Sequence, residues 1–199
     1  AEFALFVTVG LVLSVPGTHL RDRVFTRLAW LDRDVIATAD IDRTAPAPRA
    51  VFLLNSPSSL LALSVLPTWQ VIHDDYETRI FALQMGRRAL HWYRQDDRTM
   101  TLTFVSSPLL DLPFEALFLA GPPLPPPGAA YATSDFTATV QAVEPTGIRT
   151  VRFSFNRGLD DPSYQFLACV QGRLTRIAPP RSGQRIELPQ VEPLMPFAP

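Results

Sequence analysis

The sequence predicts an α+β fold, mainly β: an N-terminal amphipathic helix and a strand–helix unit packed with an antiparallel β-sandwich or barrel-like domain. Three observations carry this expectation. Short runs of alternating apolar and polar residues, separated by turn residues, recur from Leu90 to Leu188, as half-exposed antiparallel strands require. Upstream, Val51-Phe52-Leu53-Leu54 is apolar throughout and feeds a polar corner and a helix-like stretch, Asn55 to Leu63. Further upstream, apolar residues between Thr18 and Ala37 return at helical spacing. Hydrophobic residues make up 47% of the 199, which supports a packed core and argues against wholesale disorder.

Phe3 to Val15 is apolar apart from Thr8, Gly10 and Ser14. The run is shorter than the roughly 20 residues that cross a bilayer. It reads first as the truncated end of a transmembrane helix. Its β-branched residues, Val7, Thr8, Val9, Val12 and Val15, keep a buried strand open as the alternative. A signal-peptide core would need a basic stretch before it, and only Glu2 is charged there. Pro16-Gly17 ends this segment, 1–17. Thr18 can cap a helix that continues to about Ala37. Leu20, Val24, Phe25, Leu28, Leu31, Val35 and Ile36 share one face, and Arg21, Asp22, Arg23, Arg27, Asp32, Arg33 and Asp34 cover the other. Mixed charge argues against strong adhesion to anionic lipid. If a spanning segment precedes the helix, Arg21, Arg23 and Arg27 favour the cytoplasmic side.

Asp40 to Pro48 is a polar, proline-bearing link. Val51 to Leu54 reads as a strand covered on both faces. Ser56 is placed as the N-cap and Pro57 at the first helical position, with the helix ending at Leu66-Pro67. Trp69 to Ile72 reads as a strand and His73-Asp74-Asp75 as a solvated turn. Thr78 to Gln84 fits strand or helix until Gly86 breaks it. Leu90 to Tyr93 and Thr99 to Val105 form a hairpin around Asp96-Asp97-Arg98, with Met100, Leu102 and Phe104 on its inner face. Leu112 to Phe118 reads as one helical turn carrying aromatics into a core, and the prolines between Gly121 and Gly128 as an extended spacer. Together, 18–120 is a helical, α/β-like and hairpin region. From 129 to 189 the chain reads as antiparallel β. Its parts are Phe136 to Ala142, a turn at Glu144 to Gly147, Val151 to Phe155, a loop from Asn156 to Pro162, Tyr164 to Val170, a tight turn at Gln171-Gly172, Leu174 to Ile177, and Arg185 to Leu188. Residues 190–199 form a loose, proline-rich tail.

The chemistry is sparse. Net charge is −1, which gives no electrostatic reason to expect nucleic acid. All 18 basic residues are Arg. They are scattered and flanked by acids, which fits GC-rich codon usage better than selection for bidentate recognition. The single cysteine, Cys169, allows no internal disulfide and reads as a buried small hydrophobe. His19, His73 and His91 lack metal-ligand spacing, so no metal is expected. There is no glycine-rich phosphate loop, and no cofactor is expected. Asp160-Asp161 reads as a turn rather than a catalytic carboxylate pair. Trp69, Trp92, Tyr93 and Tyr164 read as core, with a carbohydrate-binding face as the alternative. The most site-like stretch is the corner Asn55, Ser56, Ser58 and Ser59, where a helix N-terminus presents free N–H groups. It lacks the Gly-x-Ser-x-Gly pattern of a nucleophile elbow. Capping explains its serines without chemistry, and a hydrolase would need His73 or His91 beside them.

Four strings occur together in order: Val51-Phe52-Leu53-Leu54-Asn55-Ser56-Pro57, Asp97-Arg98-Thr99-Met100-Thr101-Leu102, Pro113-Phe114-Glu115-Ala116-Leu117-Phe118, and Val151 to Pro162. In this they resemble the extramembrane C-terminal region of an uncharacterised group of bacterial multi-pass membrane proteins. The resemblance runs from about Arg49 to Leu188. It implies membrane context and supports reading Phe3 to Val15 as the end of a spanning helix; it implies no catalytic residues. The sequence thus points first to a non-enzymatic extramembrane domain with an assembly or protein-interaction role, attached to a membrane through its N-terminal or a preceding segment. A hydrolase built on Ser56 to Ser59 and a ligand- or carbohydrate-binding β module are the alternatives.

Overall fold

The computed structural model describes residues 32–111, 115 and 123–192. The apolar segment 3–15, the helix from Thr18 up to Leu31, the Leu112 to Phe118 turn apart from Glu115, and the tail from 193 lie outside them. In chain order the elements are β1 (Ala50–Leu53), α1 (Ser59–His73), β2 (Arg79–Ala82), β3 (Leu90–Arg94), β4 (Thr99–Phe104), β5 (Ala130–Ala132), β6 (Phe136–Glu144), β7 (Gly147–Phe155), β8 (Tyr164–Val170), β9 (Arg173–Arg176) and β10 (Arg185–Leu188). Residues 32–37 are also helical.

The strands form two open sheets. One has four strands in the order β2-β1-β8-β9, the other six in the order β10-β3-β4-β7-β6-β5. The larger is antiparallel throughout. In the smaller, β1 runs parallel to both β2 and β8, and β9 returns antiparallel to β8. The expected α+β, mainly β sandwich is therefore present, with a mixed sheet as one of its layers. The last third does not stand apart: β8 crosses back to lie beside β1.

Alternation along the strands builds two cores. Ala50, Phe52 and Leu54 of the β1 stretch and Tyr164, Phe166 and Ala168 of β8 face the six-stranded sheet, whose Trp92, Met100, Leu102, Phe104, Phe153 and Phe155 meet them. Val51, Leu53, Leu167 and Cys169 point the other way, against Leu61, Ala62, Val65 and Trp69 of α1 and against Val35 and Ile36. The order is helix, mixed sheet, antiparallel sheet. Phe52 is the hub of the inner core. Its ring centroid lies 5.0 Å from Phe155, 5.1 Å from Tyr164 and 5.1 Å from Phe166, and it stacks on Phe81 at 5.7 Å. Burying such a ring contributes about 2–3 kcal/mol, with up to about 1 kcal/mol more for each favourable ring pair.

Several local expectations need correction. The N-cap of α1 is Ser58, whose Oγ accepts from Leu61 N at 3.0 Å, not Ser56. The helix does not stop at Pro67 but runs on to His73, so Trp69 to Ile72 is helical, not a strand. Proline in a helix interior costs roughly 3 kcal/mol. Continuing the helix puts Trp69 one turn beyond Val65 and two beyond Leu61 on the buried face, and that burial offsets the cost. Asp32, expected on the polar face of its helix, is buried, because Ser58 donates to it. The turn at His73 to Asp75 is not fully solvated: Asp74 is exposed and left-handed, but Asp75 is buried.

Other expectations hold. The β3–β4 hairpin buries Met100, Leu102 and Phe104. Gln171-Gly172 joins β8 to β9 with φ of 50° and 77°, as a two-residue hairpin turn demands. Gly147 opens β7 where Leu109 bridges to Ile148, and a Cβ there would overlap the Leu109 carbonyl oxygen. Phe52→Ala is expected to lower stability by about 3–5 kcal/mol in urea unfolding. Leu63→Ala, on the exposed face of α1, should change it by less than about 0.5 kcal/mol.

Candidate functional site

The corner after β1 occupies the position where a ligand site is expected from topology. Asn55 and Ser56 follow the carboxyl end of β1, between the ends of its parallel neighbours β2 and β8, and the N-terminus of α1 opens there. Crevices at the carboxyl ends of parallel strands commonly hold ligands. Each residue nominated from the sequence makes at least one side-chain hydrogen bond within the protein. Asn55 Oδ1 accepts from Cys169 N at 2.7 Å, which fastens the end of β1 to β8. Ser56 N donates to Gly86 O at 2.9 Å, and Ser56 Oγ donates to Ser58 O at 2.7 Å. Ser59 Oγ donates to Met85 O at 2.7 Å. Ser58 Oγ accepts from Leu61 N and donates to both carboxylate oxygens of Asp32 at 3.3 Å.

The four residues are thus brought together, but as a clamp holding the β1–α1 corner to β8 and to the Met85-Gly86 loop. Asp32 completes it. The first turn of α1 carries no acid of its own, and Asp32 reaches its N-cap from another segment, where negative charge complements the helix dipole. Burial lifts the Asp32 carboxyl above its ordinary value, and the Ser58 bond counters this only in part.

Neither described histidine, His73 or His91, reaches the serines. His73 is the last residue of α1, its ring against Trp69 at 3.9 Å between centroids. At 1.5 Å per residue that is roughly 20 Å from Ser59. His91 lies on β3, 3.7 Å from Glu187. Its neighbours Leu90 and Trp92 face the inner core, so His91 faces away from the mixed sheet. Among the described residues, the geometry that a Ser–His pair needs is missing from this corner. Trp69, Trp92 and Tyr164 are buried, and Tyr93 alone of that set is exposed, so they form no binding platform. Asp160 takes a bidentate bond from Arg94 at 2.9 and 2.6 Å. Asp161 instead accepts from Ser163 N and Oγ, the local turn motif expected. Burial raises the Cys169 thiol pKa, as for a packing residue. Among the described residues no group of three or more His, Cys, Asp or Glu side chains could hold a metal ion.

The polar cluster that sequence reasoning missed lies at the other end of α1. Asp75 accepts from Thr78 Oγ1 at 2.7 Å, Thr78 N at 3.2 Å, Trp69 Nε1 at 3.2 Å and Arg49 Nη2 at 3.2 Å. Burial pushes its carboxyl up, but these donors together outweigh burial and hold it at about 2. The available signal was Asp75 three residues before Thr78, a spacing at which a carboxylate accepts from a backbone N–H. Arg49 also bonds Thr78 Oγ1, Arg43 O and Ala45 O. The cluster therefore ties the link before β1 to the end of α1 and the start of β2. A second buried pair, Arg88 with Glu115 at 2.6 and 2.5 Å, has Leu110 N as a further donor to the carboxylate.

No family model matches the chain, and neither a curated protein nor a solved structure matches it.

Asn55→Ala is expected to lower stability by about 1–3 kcal/mol, since it strands the buried Cys169 N–H; thermal or urea unfolding measures this. For Asp75, the folded value of about 2 lies below the ordinary 3.8. Its stabilisation is therefore present above pH 4 and is lost as pH falls toward 2, a swing of about 2 kcal/mol. The stability difference between the native chain and Asp75→Asn should grow by that amount as pH rises from 2 to 5 and then level off. A difference independent of pH would contradict the assignment.

Proposed function

We propose that this chain is a non-enzymatic extramembrane domain of a bacterial membrane protein, attached through its N-terminal apolar segment or one preceding it, and serving in assembly or protein interaction. The observation that carries this reading is the state of the β1–α1 corner. In the place where an enzyme of this topology would hold its ligand, Asn55, Ser56, Ser58 and Ser59 are spent on internal bonds. The apolar run Phe3 to Val15 and the resemblance to extramembrane regions of bacterial multi-pass proteins support the membrane context. The basic residues Arg21, Arg23 and Arg27 favour placing the domain on the cytoplasmic side. Among the described residues no helix is long and apolar enough to cross a membrane.

A second reading, a ligand-binding β module, is favoured by one observation. An apolar cleft of about 240 Å³ opens between the end of β2 and strands β6 and β7, lined by Leu83, Leu109, Tyr131, Ala138, Ile148 and Phe153 among others. Such a cleft suits a small apolar molecule rather than a sugar.

Fractionation separates the two. The full chain expressed in a bacterium should sediment with membranes, resist an alkaline carbonate wash and require detergent for release. Val9→Arg/Val12→Arg should move it to the soluble fraction with its far-ultraviolet circular dichroism unchanged. Wild-type chain in the supernatant would overturn attachment through the Phe3 to Val15 run.

A further inference from the structure

The helix α1 carries a second apolar face. Its sequence, SLLALSVLPTWQVIH, contains no Asp, Glu, Lys or Arg. Leu61, Ala62, Val65 and Trp69 are buried against the mixed sheet. On the far side stand Leu60, 41% exposed, Leu63, 45% exposed, and Val71, 78% exposed, with exposed Pro67 between them. At about 100° per residue, positions 60, 63, 67 and 71 fall within an arc of roughly 80°, opposite the buried face. A surface helix normally presents charge on that side. Single exposed apolar residues need no explanation, but a continuous stripe along three turns marks a contact surface.

We infer that this stripe rests on the surface of a lipid bilayer, with α1 lying in the membrane plane. The inference rests on the membrane reading of the preceding subsection and names the contact that reading leaves open. Three features select lipid as the occupant. First, Asp32, the first described residue, touches Ser58 at the N-cap of α1, so the chain that carries the apolar run Phe3 to Val15 joins the domain at the start of this helix. The residues between Val15 and Asp32 span at most about 60 Å. A membrane-seated apolar run therefore holds α1 close to the bilayer at high effective concentration. Second, Tyr76, 68% exposed, follows the far end of the stripe; tyrosine favours the headgroup level, where its ring is apolar and its hydroxyl wet. Third, the exposed charges at that end carry no basic excess, with Arg43 set against Asp74 and Glu77. This surface suits zwitterionic lipid and gives no reason for anionic selectivity. At 15 residues, α1 can lie on a bilayer but not span it.

The test places an environment-sensitive nitrobenzoxadiazole fluorophore on the full chain through Leu63→Cys or Val71→Cys; native Cys169 is buried. Arg98→Cys, on the exposed β3–β4 turn of the far sheet, is the control. With phosphatidylcholine vesicles, labels at 63 and 71 should shift to the blue and lose quenching by iodide, equally at low and high salt, while the label at 98 stays unchanged. Flotation of the chain with the vesicles, but no shift at 63 or 71, would overturn this inference and leave the membrane reading standing. Failure to float would overturn both. Disulfide cross-linking of two unlabelled Val71→Cys chains on vesicles would overturn it in favour of a contact between copies.

Discussion

Strand β1 has no solvent-facing side. Ala50, Val51, Phe52 and Leu53 are each at most 1% exposed, and both edges are paired, to β2 and to β8. Such a strand is stable only if every backbone group finds a partner and both faces find apolar cover. The rest of the architecture answers these needs. The six-stranded sheet covers one face through the ring cluster around Phe52, and α1 covers the other through Leu61, Val65 and Trp69. β8 returns from over a hundred residues away to close the second edge. The corner after β1 inherits the same constraint. Asn55 and Ser56 are buried with the strand, and the polar groups of the corner are used to finish pairing that the strands begin.

Buried polar side chains play a consistent part. Asn55 to Cys169 N, Gln165 to both the N and O of Asp42, Arg49 to Asp75, and Arg88 to Glu115 each tie a connecting segment to a sheet or helix end. A buried guanidinium suits this role because its planar fork of donors can satisfy a carboxylate and nearby carbonyls at once. Arg94 does this with Asp160, Asp96 O and Pro180 O. Removing one member of such a set leaves a charge or donor stranded, so these contacts fix the course of loops that carry little regular structure.

Much of the sheet structure was legible in the sequence because alternation is a local signal. The hairpin of β3 and β4, the β6–β7 pair with its Glu144 to Gly147 turn, and the Gln171-Gly172 turn each declare themselves within about twenty residues. The parallel pairing of β1 with β8 did not, since a continuously apolar run shows burial but not its partner. Pro67 hid the second half of α1, because the cost of proline is local whereas the compensating burial of Trp69 depends on a distant sheet. Ser56 and Ser58 are equally good caps by type, and their neighbours Gly86 and Asp32 decided between them. The site residues were legible as a cluster; their roles were not, because a clamp and a ligand cradle use the same residue types. Asp75 looked like a surface turn since its donors, Trp69 and Arg49, lie outside the turn.

Strand β1 makes the two cores one cooperative unit. Trp69 reports on the helix-side core and Trp92 on the inner core. In a Trp30→Phe background, variants retaining one of these two tryptophans can be followed by fluorescence through urea unfolding, beside circular dichroism. Coincident transitions are expected for both reporters, once each variant is corrected for its own stability by circular dichroism. Loss of the Trp69 signal at clearly lower urea, with the Trp92 signal and β-sheet dichroism intact, would contradict this and show that the helix layer is held independently of the strand.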